Sequence, residues 1–321
     1  MSTTAVKGKK KTGSNGSSFD NLEIFLLHLP TTIWYLIFCY APMFGVVIAF
    51  KNYKVKPGKS FLYSLFVNSK WSGFKNFEVL FKSSYFSDML RNTLVYNFIF
   101  IVLGVVIPVT LAILINNMWS QKLAKVCQTM MFLPHFLSWV VISYFVFAFL
   151  STDKGLINSL RNMMGMEDIM WYQGPEYWPG FLIFINTWKT FGYSMVVYMA
   201  TITGIDASLY ESTVIDGASK WQQCWGITIP LLRPVISIMF IMNVGHIFST
   251  DFGLFYQVTR DSGSIINVTQ TLDVYVYKAL MESNNYNYSS AVSLLQSVLG
   301  CILLIIANFA VKKIDPESGI F

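Results

Sequence analysis

At least four windows of this chain exceed about 18 consecutive apolar residues with almost no charge, the length a helix needs to cross roughly 30 Å of hydrocarbon. Inside lipid an open chain must satisfy each backbone N–H and C=O internally, so these windows are helices. The composition agrees: 54% hydrophobic, 12% charged and a mean hydropathy of +0.50 exclude an ordinary soluble domain. The pattern predicts an all-α membrane protein with six transmembrane helices, over about 29–50, 91–115, 126–150, 181–203, 229–249 and 291–311. The first apolar run is too long for a signal-peptide core and is expected to stay as an anchor.

Residues 1–18, with Lys7, Lys9, Lys10 and Lys11 among Gly, Ser and Thr, form an expected disordered basic tail, and residues 19–321 a single six-helix domain. Six crossings put both termini on one side. The positive-inside rule alone leaves that side open, because with the termini inside ten basic residues fall inside and twelve outside. Cys39, Cys127, Cys224 and Cys301 show neither a disulfide framework nor metal-ligand spacing.

Between the fourth and fifth apolar windows stands a polar, acidic stretch, YESTVIDGASKWQQCWGITIPLLRP, from Tyr210 to Pro234. Asp206 or Ser208 suits a helix N-cap, and Ser208 with Glu211 has capping-box spacing. Asp216-Gly217 is a turn signal. Ala218, Trp221 and Trp225 then recur three and four residues apart on one face, and Pro230 and Pro234 mark a new helix start. Helices this short do not persist alone in water, and a groove in a partner protein suits such a helix-turn-helix.

The order Glu211, Asp216-Gly217-Ala218, Pro230 and Pro234 resembles the EAA loop of ABC importer permeases. Ser212 and Thr213 stand in for the alanines, and Ile229 for the usual leucine before proline. FCYAPMFGVVIAFKNY (Phe38–Tyr53), RNTLVYN (Arg91–Asn97), FLPHFLSWVV (Phe132–Val141) and LDVYVYK (Leu272–Lys278) extend the likeness over nearly the whole chain. They are similar to the LplB-like polysaccharide permeases of the maltose-type carbohydrate uptake family. The resemblance implies the type I importer permease fold and one of two permease subunits in the plasma membrane of a bacterium. Its partners would be a second, non-identical permease, a cytoplasmic ATPase dimer carrying ATP and Mg, and an extracellular sugar-binding lipoprotein. It further implies that the loop at about 204–229 and both termini are cytoplasmic, and that Glu211, Asp216, Gly217, Ala218 and Trp221 couple to the ATPase.

Lys189, about eight residues into the fourth window, costs roughly 2.5–3.5 kcal/mol there; it is either paired or hydrated, or it snorkels from a shifted boundary. Asn186, Tyr193, Asn243 and His246 either face a water-filled path or bond neighbouring helices. Trp188 and Tyr193 are the candidate aromatics for stacking on an oligosaccharide. The lysines from Lys51 onward, ending at Arg91, face acidic lipid, anionic sugar or plain solvent. No G-x4-G-K-[ST], GxSxG or HExxH is present, so neither nucleotide hydrolysis nor hydrolase chemistry is expected of this chain. Nucleic acid is not an expected partner, and the rival reading is a stand-alone secondary transporter or channel.

Overall fold

The computed structural model describes residues 17–320. The basic-tail expectation for residues 1–18 therefore lies almost wholly outside the described residues. Contacts divide the chain into two units, 1–48 and 49–321. In the first, helix α1 (Ser17–Tyr35) continues through a wide π turn at Leu36–Tyr40.

The second unit begins with a short antiparallel pair, β1 (Lys51–Asn52) against β2 (Lys70–Trp71). Helix α2 (Lys75–Lys82) closes over it, Asn76 Nδ2 donating to the carbonyls of Ala49 (2.8 Å) and Lys51 (3.0 Å). Phe74 and Phe77 pack on Phe50, whereas Phe81 turns to Phe86. Then follow α3 (Ser84–Asn116), α4 (Gln121–Phe132), α5 (Trp139–Leu150), α6 (Leu156–Met163) and α7 (Trp178–Thr203). Beyond them lie α8 (Ala207–Ile215), α9 (Lys220–Gly245), α10 (Leu272–Met281) and α11 (Tyr286–Ile314).

A helix underlies each expected span. Among the described residues four are long and apolar enough to cross a membrane, or five if the bent pair Gln121–Phe136 and Trp139–Leu150 is one span. That pair corrects the expectation of one straight helix over 126–150, for its halves meet at 99°. Pro134 sits in a 3-10 turn at Leu133–Phe136, and the Ser138 hydroxyl accepts from the Val141 amide, starting a new helix.

Helix α3 packs along α7, and α9 along α11. One buried cluster joins Tyr96, Ile142, Trp178, Leu182, Leu254 and Phe255. A second joins Ala112, Ala124, Met195, Tyr198 and Leu232 nearer the 204–219 loop. At Gly192 the backbone of α7 crosses the end of α4 so closely that an added Cβ would lie 2.0 Å from the Met131 carbonyl oxygen. Only glycine permits this crossing.

Candidate functional site: a loop, a helix break and a polar cavity

The loop after α7 starts with Asp206, whose carboxylate accepts from the Ser208 amide at 3.0 Å. That hydrogen bond, from backbone first, holds the carboxyl below its usual range. The Ser208–Glu211 capping box does not form. Asp206 already occupies the cap, and Ser208 supplies its amide rather than its hydroxyl. The reciprocal box forms one helix later, where Ser219 Oγ accepts from the Gln222 amide (3.3 Å) and Gln222 Oε1 from the Ser219 amide (2.7 Å).

Between the two helices, Gly217 has φ +79°, the left-handed conformation that favours glycine. The Gly217 amide donates to Val214 O (3.1 Å) and the Ala218 amide to Thr213 O (2.9 Å), a Schellman closure of α8. Tyr210 and Thr228 hydroxyls are bonded at 3.0 Å, and buried Gln223 donates to Thr213 Oγ1 at 3.2 Å, so the loop is braced from within. Its outer side exposes Val214, Ile215, Trp221 and Trp225, the two indoles meeting edge to face at 5.7 Å. Glu211 and Asp216 are exposed beside them.

The prolines do not restart the helix, which corrects the sequence expectation. Lys220–Gly245 is one continuous rod, and the segment Cys224–Thr228 is a π turn. A proline removes one N–H and crowds the carbonyl four residues back; for Pro230 that is Gly226, inside the wide turn.

Lys189 occupies the helix break. Its Nζ donates to the carbonyls of His135 (2.9 Å) and Leu137 (2.7 Å) and lies 5.2 Å from the Trp139 ring centroid. Trp139 Nε1 in turn donates to Asp251 at 2.6 Å. Tyr193 stacks on His135 at 4.8 Å. Lys189 is thus paired, and with Tyr193 it supports the turn that interrupts the third span.

A polar cavity of about 260 Å³ brings together Asn186, Asn243 and His246 with Asn97, Thr190, Ser194, Ser249 and Asp251. A neighbouring cavity of about 430 Å³ shares His246 and Ser249 and adds Asp273, Ser293 and Gln296. Trp188 lies elsewhere, in an apolar depression with Leu103, Phe184 and Phe191. At about 100° per residue, Trp188 points away from Asn186, whereas Thr190 and Ser194 share its stripe. That i, i+4, i+8 spacing is the sequence signal for Thr190 and Ser194, two lining residues beyond the expected set. The chain leaving α9 is irregular, and side chains satisfy it. Asn97 Nδ2 donates to Ile247 O (2.8 Å) and Ser249 O (3.0 Å), Gln296 Nε2 to Phe248 O (2.7 Å), and Asp273 accepts from the Thr250 amide (2.6 Å). Irregular backbone at membrane depth survives only where protein or a cavity supplies such partners.

Apolar helices around a polar cavity, with a braced helix-turn-helix loop running directly into one of them, define a multi-pass membrane transport protein. The chain belongs to the family described as the binding-protein-dependent transport system inner membrane component, whose model matches residues 104–317. It is 34% identical over 298 residues to the polygalacturonan/rhamnogalacturonan transport system permease protein YteP of Bacillus subtilis strain 168, covering 93% of this chain and 90% of that one. To Protein LplB of the same organism it is 32% identical, over 93% and 91% of the two chains. Among solved structures it is similar, at TM-score 0.82 and 30% identity over 92% of this chain and 97% of that one, to a bacterial ABC transporter involved in the import of the acidic polysaccharide alginate. A second, at TM-score 0.81 and 29% identity over 92% and 96%, is the alginate transporter in complex with an alginate pentasaccharide-bound periplasmic protein. The chain is a permease component of an ABC importer, and not an enzyme.

Proposed function

We propose that this chain forms half of the translocation path of an ATP-driven oligosaccharide importer, opposite a second, non-identical permease. The braced loop docks on a cytoplasmic ATPase dimer, which carries the ATP and Mg; this chain holds no cofactor of its own. Glu211, Asp216, Gly217, Ala218 and Trp221 form the coupling face, and both termini lie on the same cytoplasmic side. The observation that carries this reading is the continuity of α9, which begins in the loop at Lys220 and ends at Gly245 beside the polar cavity. A push on Trp221 or Trp225 therefore reaches Asn243, and His246 just past its end, through one helix, while Val214 and Ile215 join it across the Gly217 turn. The polar lining, Asn186 and Asn243 above all, supplies donors and acceptors for sugar hydroxyls. The relatives' polysaccharide substrates support the sugar class, and the periplasmic protein bound to the alginate transporter supports delivery by a binding protein.

The test is ATPase activity of the purified complex in nanodiscs, with and without sugar-loaded binding protein, for the wild type and Gly217→Pro. Stimulated hydrolysis in the wild type and its loss in an assembled mutant complex are expected. Failure of any ATPase to co-purify, or a mutant that couples normally, would favour a stand-alone transporter.

A further inference from the structure

Beyond α9, at the end of the bundle opposite the coupling loop, lies a third cavity of about 260 Å³ lined by Ser143, Tyr144, Tyr256, Gln257, Arg260 and Asp261. Its position follows from Tyr172, which precedes α7 and accepts through its carbonyl from Ser262 Oγ at 2.8 Å. The 26-residue α7 then runs from Trp178 to the loop, a rise of about 39 Å.

Arg260 and Asp261 both have positive φ, +53° and +50°. Two consecutive non-glycine residues in this region are costly and persist only where the surroundings over-determine them. Here the Arg260 amide donates to Gln257 O (3.2 Å), the Asp261 amide to Tyr256 O (3.3 Å), and the Asp261 carboxylate pairs with Lys278. The strain aims Arg260. Its guanidinium carbon sits 4.0 Å from the centroid of the Phe147 ring, and among the described residues its N–H groups have neither a carboxylate within 4.0 Å nor a hydrogen-bond acceptor. A guanidinium lying over an aromatic ring keeps its in-plane fork free, which is the geometry that takes a carboxylate bidentately.

The one carboxylate on the lining, Asp261, is paired with Lys278, so among the described residues Arg260 is the lining charge left without an ion-pair partner, with Glu282 acting on Tyr256 more weakly than Asp261 does. Around it stand an exposed Tyr144 ring and the Tyr256 ring, the latter stacked on Phe252 at 4.8 Å. Burial first, and then the charge of Asp261, push the Tyr256 hydroxyl up, so it stays a neutral donor. Gln257 adds an amide. An unanswered guanidinium fork beside aromatic faces and neutral donors fits an acidic sugar ring: carboxylate on the fork, apolar ring face on tyrosine, hydroxyls on Tyr256 and Gln257.

We infer that Arg260 anchors a binding subsite for the carboxylate of a uronic-acid residue, at the end of the path where sugar arrives. This inference rests on the importer reading and specifies its substrate as an anionic oligosaccharide.

The test titrates the complete transporter, free of binding protein, with trigalacturonate and with the same trimer fully methyl-esterified, following tryptophan fluorescence. The wild type is expected to bind the acid about tenfold more tightly than the ester, the scale of one charge-assisted pair. Arg260→Gln is expected to abolish that preference and leave ester binding unchanged. Arg260→Asn, which tolerates positive φ better, must behave alike, which separates charge from folding. A preference retained in both variants, or no binding of either trimer to the wild type, overturns the subsite. ATPase stimulation by loaded binding protein is measured in parallel: if it persists, the subsite inference alone falls, and if it is absent, the importer reading falls with it.

Discussion

Lys189 Nζ lies 2.7 Å from the Leu137 carbonyl oxygen, a cation answering the exposed end of a broken helix. With His135 O also bound at 2.9 Å, one side chain satisfies two carbonyls that the bend between α4 and α5 releases. Lys189→Met is expected to leave both without a donor, at about 1–3 kcal/mol each. A lower melting temperature of the detergent-solubilised complex, partly restored in Lys189→Arg, is the expected result; a variant that melts like wild type would show that water supplies the bond instead.

Gly192→Ala is expected to force α7 away from Met131, since the new Cβ would overlap the Met131 carbonyl oxygen at 2.0 Å. Overpacking of this kind costs roughly 1–3 kcal/mol. Gly180→Ala, where an added Cβ meets nothing within 4 Å, is the matched control. Thermal denaturation of the pair checks the claim, which fails if the two variants melt together.

At Gly217 a conformational effect separates from a steric one, because an added Cβ meets open space while φ is +79°. Gly217→Ala is expected to destabilise the turn by about 1–2 kcal/mol, and Gly217→Asn by less. Limited proteolysis of the loop reads the order. Equal sensitivity of the two variants would remove the backbone explanation.

The cap at Asp206 carries a pH signature. Its folded carboxyl is held below the usual value by the Ser208 amide, so its contribution is present above the unfolded pKa, about 3.9, and is lost as pH falls through the folded value. Hydrogen exchange at the start of α8 should therefore lose protection on acidification below about pH 4. Asp206→Asn should flatten that dependence, and an unchanged profile would assign the effect to another group.

The helices and the loop were legible because apolar length and an Asp-Gly pair are strong local signals. Gly217 could be placed from its dipeptide alone. The break at Ser138 is hidden from hydropathy, although Pro134 and Ser138 stand in the sequence, because a hydropathy window averages across a corner that changes no composition. Trp188 suits a sugar ring by its chemistry, but two residues from Asn186 it faces the apolar depression with Leu103 and Phe184, an angle that composition does not carry. Lys189 showed its cost but not its partners, since the carbonyls of His135 and Leu137 lie more than fifty positions away in the chain. The π turn at Cys224–Thr228 leaves no spacing to find; it follows from where Pro230 falls.

That turn has a mechanical consequence. Because it widens the helix instead of ending it, no free joint separates Trp221 from Asn243. Lys220–Gly245 is a shaft of 26 residues, about 39 Å long, and a tilt of about 5° would sweep its far tip through about 3 Å. Displacement on that scale matches the width of a single hydrogen bond, so a small rotation at the tryptophan end is enough to exchange one set of cavity partners for another.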